Sequence, residues 1–230
     1  KSYRVKQHIT MKDLLFRGKQ VIRKEIHVIQ DQMSRNHVEL MFGLATFVSP
    51  HRIKVSSADE LHEHTAGTFI IATGSTPARP SDIPFDDTTI IDSDGLLHIE
   101  RIPTAMMIVG AGVIGCEYAC MLAALGVKVT LVDARPRLLD FIDAEIIEAL
   151  QYQMRQMRIS LRLGEAVDRV ERDADGTIIA HLKSGKQIAS PFLLYSVGRL
   201  GATAELNLPH IGIKPDARGR LKVNAHYQTT

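Results

Sequence analysis

The chain has 230 residues, 45% of them hydrophobic, enough for one large domain or two small ones with a packed core. A formal net charge of +2 supplies no field that would draw nucleic acid or an anionic membrane. No apolar run reaches the ~18 residues of a membrane helix, and no secretory signal is visible.

The basic excess is local. Lys1, Arg4, Lys6, Lys12, Arg17, Lys19, Arg23 and Lys24 stand against Asp13, which reads as a solvated helix face. The chain begins at Lys1 rather than at a methionine, so a piece of a longer protein is expected. Thr10 and Asp13 have the spacing of a capping box. Leu15, Ile22, Ile26, Ile29 and Met33 then recur near the helical period, and one amphipathic helix is expected over residues 11–35. From Val38 the period changes. "VELMFGLATFV", "RIKV" and "GTFIIATGSTP" read as strands, the last ending at Gly74 and Pro77. "HEH", at His62 to His64, reads as an exposed strand or turn; it has no further ligand at metal spacing, so no metal site is expected.

"ARPSDIPFDDTT" reads as a linker and "SDGLLHI" as a short helix. A regular pattern follows. "AMMIV" is a buried strand, residues 112–125 a helix ended by Gly126, and "VKVTLVD" a second strand. Asp143 caps a third helix with the stripe Ile146, Ile147, Leu150, Met154 and Met157, and "ISLRL" is a third strand. This alternation predicts a parallel sheet with right-handed crossovers. "AVDRVER", "TIIAHL" and "KQIAS", separated by "DADG" and "KSGK", predict an antiparallel three-stranded meander. "FLLYSVG" returns as a buried strand, and "GRLKVNAHYQTT" has a strand pattern again.

The chemistry concentrates in "MMIVGAGVIGCEY". Gly110, Gly112 and Gly115 have G-x-G-x-x-G spacing between a strand and a helix, and the next strand ends in Asp133. Gly110 permits the tight turn, Gly112 leaves room for a pyrophosphate, and Gly115 lets helix and strand pack closely. Helix N–H groups and the helix dipole then meet the phosphates. Asp133 accepts from an adenosine ribose, which favours NAD; Arg135 and Arg137 follow, and either reaches a 2′-phosphate. The choice between NAD and NADP stays open. Glu117, one turn into the helix, complements its N-terminus. Cys116 and Cys120 stand four apart on that helix, which is neither a disulfide framework nor a CxxC pair; small packing residues in a reducing, cytoplasmic setting are expected.

"ATGS" before Pro77, the glycine turn, the meander and "SVGR" occur in that order. Over nearly its whole length the chain therefore resembles the two-dinucleotide-binding-domain flavoproteins, the pyridine nucleotide–disulfide oxidoreductases. "IDSDGLL", "GAGVIGCEYA", "HLKSGK", "LLYSVGR" and "GRLKVNAHYQT" resemble in particular those members that pass hydride from NADPH to FAD and on to NAD⁺. The resemblance implies an α/β fold: a Rossmann-like parallel sheet with the meander, plus a remnant of an interrupted FAD-binding α/β domain. Residues 1–75 match the first FAD segment, 76–200 the NAD(P)-binding domain, and 201–230 the start of the returning FAD segment.

The family's first glycine turn, its CxxxxC segment, its later "GD" stretch and its C-terminal dimerisation domain have no counterpart in these residues. FAD is thus expected in the longer parent and not on this chain, whose ligands are NAD(H) and NADP(H). By the same resemblance Val113 and Ile114 lie on the nicotinamide side of the turn, with valine where some relatives have a gating tyrosine. Glu117 matches an acid that pairs with a flavin-side lysine, and Gly198 a backbone contact near the nicotinamide. No residue of this chain is assigned a catalytic role. The alternatives are a stand-alone dinucleotide-binding module and a fragment of a dihydrolipoamide dehydrogenase-like enzyme. No nucleic-acid or membrane partner is expected, and exposed sheet edges predict self-association.

Overall fold

The structure, a computed structural model, describes residues 10–58 and 60–229. Lys1, Arg4 and Lys6 of the basic stretch lie outside them. In chain order the elements begin with α1 (Met11–Arg35), β1 (Leu44–Ser49), β2 (Arg52–Ser56), β3 (Leu61–Thr65), β4 (Ser75–Pro77), β5 (Ile90–Asp92), β6 (Ala105–Val109) and α2 (Val113–Ala124). They continue with β7 (Lys128–Asp133), α3 (Ala144–Gln156), β8 (Ser160–Leu163), β9 (Val167–Arg172), β10 (Ile178–Leu182), β11 (Gln187–Ser190), β12 (Leu193–Tyr195) and β13 (Arg199–Gly201). Two compact units result: residues up to Val21 with Pro77–Gly198, and Ile22–Thr76 with the chain from Arg199 onward.

The first unit is built on a five-stranded parallel sheet in the order β5-β12-β6-β7-β8. Side chains alternate across its two faces, as the pleat requires. Ile91, Met106, Ile108, Val129, Leu131 and Leu194 join one core with Cys116, Ala119 and Leu122 of α2 and Ile147 and Met154 of α3. Ile90, Met107, Val109, Val132 and Leu193 join the other with Val170, Ile178, Ala180 and Leu182 of the meander β11-β10-β9. Burial on both faces explains why these strands read as unbroken apolar runs.

The local signals hold in this unit. Asp143 accepts the Glu145 N–H at 2.9 Å to cap α3, and Gly126 follows α2 with φ +85°. Two expectations are corrected. Ile146, counted in the apolar stripe of α3, is 62% exposed, because Ile147 and Met154 define the face that meets the sheet. The stretch taken as a linker runs into β5, whose three residues are all buried, and Ile83 within it is buried too. A three-residue strand is too short to show a period.

In the second unit β1, β2 and β3 form an antiparallel sheet, and β4 pairs with β13. "HEH" lies on β3. The strand expected from Val38 starts only at Leu44: Leu44 pairs with Ser56, where β2 ends, so earlier residues have no partner in that ladder. Residues 67–74 and the tail from Gly219 likewise form no strand, apart from an isolated bridge between Val223 and Thr229. Apolar alternation alone does not make a strand where no neighbouring strand continues the ladder. The core of this unit joins sequence-distant segments: Phe47 packs with Leu206 and Leu208, and Phe69, Ile71 and Ile213 lie against them. Thr46 Oγ1 donates to the Glu205 carbonyl at 3.2 Å and Asn207 Nδ2 to that of Phe47 at 3.1 Å.

The long helix α1 spans the bounds its period predicts, and its capping box forms: Thr10 N–H donates to Asp13 at 2.8 Å, and Asp13 N–H to Thr10 Oγ1 at 3.3 Å. Met11 is buried and Leu15 packs beside it, yet Ile22, Ile26 and Ile29 farther along stay 52%, 47% and 50% exposed. Among the described residues, no helix is long and apolar enough to cross a membrane.

Candidate functional site

The glycine turn sits between β6 and α2, at the carboxyl ends of the parallel strands. Its three glycines face different surroundings. Gly110 has φ +104°, and a Cβ there would stand 2.9 Å from the Ser196 carbonyl carbon. A Cβ on Gly115 would collide with the Gly110 carbonyl oxygen and lie 2.8 Å from Ser196 Oγ. Gly112 is the reverse: nothing lies within 4 Å of its Cβ position, and its φ of −79° is open to any residue. Gly110 and Gly115 thus serve the packing of the turn, while Gly112 keeps open space before the helix.

That helix start is uncapped by any side chain. The first N–H groups of α2 have no intrahelical acceptor and, with the helix dipole, present positive charge toward the open side. Val113 is 49% exposed and Ile114 half-buried at this end. Gly112 and these N–H groups border open space that a side chain would fill.

Asp133 closes the site from β7 and is only 7% exposed. Its Oδ2 accepts the Ala111 N–H at 2.5 Å, tying the strand end to the glycine turn. Its Oδ1 accepts the Arg135 N–H at 2.7 Å. The Arg135 guanidinium forks onto the same carboxylate, Nε to Oδ1 at 3.0 Å and Nη2 to Oδ2 at 2.9 Å, and its Nη1 reaches Asp140 at 3.2 Å. Burial pulls the Asp133 carboxyl upward. The Arg135 side chain, then the N–H groups of Ala111 and Arg135, outweigh it and hold the group below the usual carboxylate range.

The structure brings Gly110, Gly112, Gly115, Asp133 and Arg135 into one hydrogen-bonded neighbourhood. Gly198, at φ +84°, stands two residues past Ser196, donates its N–H to the Ser196 carbonyl at 3.2 Å and accepts the Ala78 N–H at 3.1 Å. Glu117 is exposed on α2 and is tied to none of these groups by a hydrogen bond or ion pair among the described residues. Arg137 is exposed and pairs with nothing among the described residues.

Two residues were not legible as part of the site. Ser196 Oγ lies 3.0 Å from both the Val109 and Gly110 carbonyls and braces the turn from just past the end of β12, 86 residues away from Gly110. Asp140 anchors the outer end of Arg135. The signal for Ser196 was its place in "SVGR"; Asp140 carried none. Cys116 is buried, its Sγ 3.6 Å from the Ala111 carbonyl, and burial pushes its thiol up to about 11, which suits packing rather than thiolate chemistry.

A parallel α/β sheet with a glycine turn and an acidic β-strand end defines a dinucleotide-binding class of protein. The family profile of the pyridine nucleotide-disulphide oxidoreductases matches residues 3–230, and the chain belongs to that family. It is 46% identical over 230 residues to the soluble pyridine nucleotide transhydrogenase of Mycobacterium tuberculosis (strain ATCC 25177 / H37Ra), covering 99% of this chain and 49% of that protein. It is 44% identical over 223 residues to the soluble pyridine nucleotide transhydrogenase of Vibrio vulnificus (strain YJ016), covering 96% of this chain and 48% of that one. The chain thus spans about half the length of the curated relatives it matches.

Among solved structures, the HOCl-induced flavoprotein disulfide reductase RclA from Escherichia coli superposes with a TM-score of 0.76 at 28% identity, over 96% of this chain and 53% of that one. LpdA from Mycobacterium tuberculosis shares the fold with a TM-score of 0.87 at 24% identity, over 97% of this chain and 50% of that one.

Proposed function

We propose that this chain is the NAD(P)-binding portion of a flavin-dependent oxidoreductase of the soluble pyridine nucleotide transhydrogenase type. The observation that carries the nucleotide reading is the open space at Gly112, before an uncapped helix start and beside the buried Asp133. Gly112 and the N–H groups that open α2 receive the pyrophosphate, and Asp133 the adenosine ribose. Val113 and Ile114 line the nicotinamide side, with Gly198 near the same end and Glu117 on the adjoining face of α2. In the whole protein FAD would supply the two-electron carrier between NADPH and NAD⁺. The residues of this chain bind and orient the nicotinamide nucleotide against it and perform no chemical step themselves.

The choice of transhydrogenase over disulfide reductase rests on the 46% identity to the first against 28% to RclA. We assign residues 76–200 to the NAD(P)-binding domain, and residues 1–75 and 201–230 to the two segments of an FAD-binding domain. Two unpaired cysteines suit a cytoplasmic setting.

Titration calorimetry of the chain with NAD(H) and NADP(H) tests the site. Both bind the wild type. Gly112→Val weakens both by tenfold or more, about 1.4 kcal/mol, because a branched side chain occupies the pyrophosphate's place. Equal affinity in the variant would remove the glycine turn from the binding site.

A further inference from the structure

The peptide unit that joins Gly110 to Ala111 is one plane, its carbonyl and its N–H pointing in opposite directions. Each end is held from a different side. The Ala111 N–H donates to Asp133 Oδ2 at 2.5 Å, at the end of β7. The Gly110 carbonyl lies 3.0 Å from Ser196 Oγ, just past the end of β12. A serine hydroxyl has one proton to give, and the Val109 and Gly110 carbonyls both stand 3.0 Å from it. The Val109 carbonyl already accepts the Ser196 backbone N–H at 2.8 Å. Among the described residues no backbone N–H is bonded to the Gly110 carbonyl, and Gly110 is buried. The hydroxyl proton therefore goes to Gly110, because a buried carbonyl left without a donor is costly.

The orientation of this plane matters to the site. Gly110 itself does not fix it: with no Cβ and φ +104°, its backbone leaves the next peptide free to turn. In the observed orientation the Gly110 carbonyl oxygen rests against the first turn of α2, so closely that a Cβ on Gly115 would collide with it. Turning the plane would lift the oxygen off α2 and point it at the Asp133 carboxylate.

We infer that Ser196 is a positioning residue of the nucleotide site: its hydroxyl holds the Gly110–Ala111 peptide in place and thereby sets the first turn of α2, whose N–H groups face the pyrophosphate. The inference rests on the nucleotide-site reading above and adds the residue that keeps the glycine turn in its binding shape. Ser196 touches no ligand in this reading; it acts through the peptide plane.

Ser196→Ala removes only the hydroxyl. In calorimetric titrations the chain carrying it binds NADH, NADPH and ADP-ribose roughly threefold to tenfold more weakly than the wild type, by one common factor, since all three share the pyrophosphate. Amide hydrogen exchange of the free chain supplies a local readout. The reference is the Leu193 N–H of β12, which donates to the Thr89 carbonyl at 2.8 Å. Relative to it, the Ala111 N–H exchanges about tenfold faster in Ser196→Ala than in the wild type. Ser190→Ala is the structural control. Ser190 is buried and its Oγ donates to the Phe192 carbonyl at 2.9 Å, just before β12, so its loss loosens the strand without touching the turn. That variant loses stability and keeps its affinity for ADP-ribose.

Unchanged affinity for ADP-ribose in Ser196→Ala overturns the proposal. Equal acceleration of Ala111 and Leu193 also overturns it, as does an equal loss of affinity in Ser190→Ala, since either makes Ser196 a general brace of β12. Failure of the underlying site reading has a separate signature: Gly112→Val would then leave the affinity for ADP-ribose unchanged as well.

Discussion

Two glycines of one turn have opposite reasons to be glycine, and substitution separates them. A methyl group on Gly115 meets the Gly110 carbonyl, which is backbone and cannot swing aside, and the Ser196 hydroxyl just past the end of β12. Gly115→Ala is expected to cost about 1–3 kcal/mol of stability, the range for overpacking a filled site. A methyl on Gly112 meets open space. Gly112→Ala is expected to cost under about 1 kcal/mol, since alanine is only a weaker N-cap, while nucleotide affinity falls. Denaturant unfolding and ligand titration of both variants check this. A Gly115→Ala protein as stable as the wild type would contradict the close approach of α2 to the turn.

At the scale of elements, the segment that reads as a linker is held by Asp86. Its carboxylate accepts the N–H groups of Thr88, Thr89 and Ile90 at 2.7–2.9 Å and so launches β5. Arg172, on β9 of the meander, pairs with the same carboxylate. Burial acts to raise the Asp86 carboxyl, but the N–H groups of Thr89, Ile90 and Thr88 and the Thr89 hydroxyl hold it well below the usual carboxylate range. A carboxyl depressed in the folded state stabilises fully above its unfolded value, about 3.9, and loses that contribution as pH falls toward the folded value. Asp86→Ala is therefore expected to cost about 1–2 kcal/mol at neutral pH, in line with loss of a capping side chain. The difference from the wild type shrinks as the medium is acidified below about pH 4. Urea unfolding at pH 7 and near pH 2 measures it; a difference independent of pH would show that the charge is not what matters.

For the whole molecule, the relevant scale is the half-length match to the curated relatives. The sequence holds one G-x-G-x-x-G turn, and the proposed pyridine nucleotide occupies it. The chain expressed alone is therefore expected to purify without a flavin absorbance band, and to stay colourless after incubation with FAD and gel filtration. A stoichiometric yellow complex would show that the second unit suffices for flavin. That unit carries wide apolar exposure, including Ile26, Phe42 at 80% and Ile70 at 91%. Apolar surface of this kind favours association.

Much of the first unit was legible in the sequence because its signals are local. Strand, glycine turn, helix and acidic strand end follow one another within residues 105–133, and the caps at Thr10 and Asp143 involve neighbours two or three residues away. Where the signal depended on a partner strand, it failed: residues 38–43 and 67–74 alternate like strands but join no strand ladder in the described structure. The exposed stripe of α1 is similar, since a period says which face is apolar and not what covers it. Sequence by itself determined the family, the turn and the acid that closes it. Only the tertiary structure decided that Asp133 is already fully bonded by Arg135 and Ala111, that Ser196, just past β12, braces the turn, and that space is open at Gly112 alone of the three glycines. These are statements about which atoms fill a volume and which lone pairs remain. Such facts arise when distant segments meet, and no spacing along the chain encodes them.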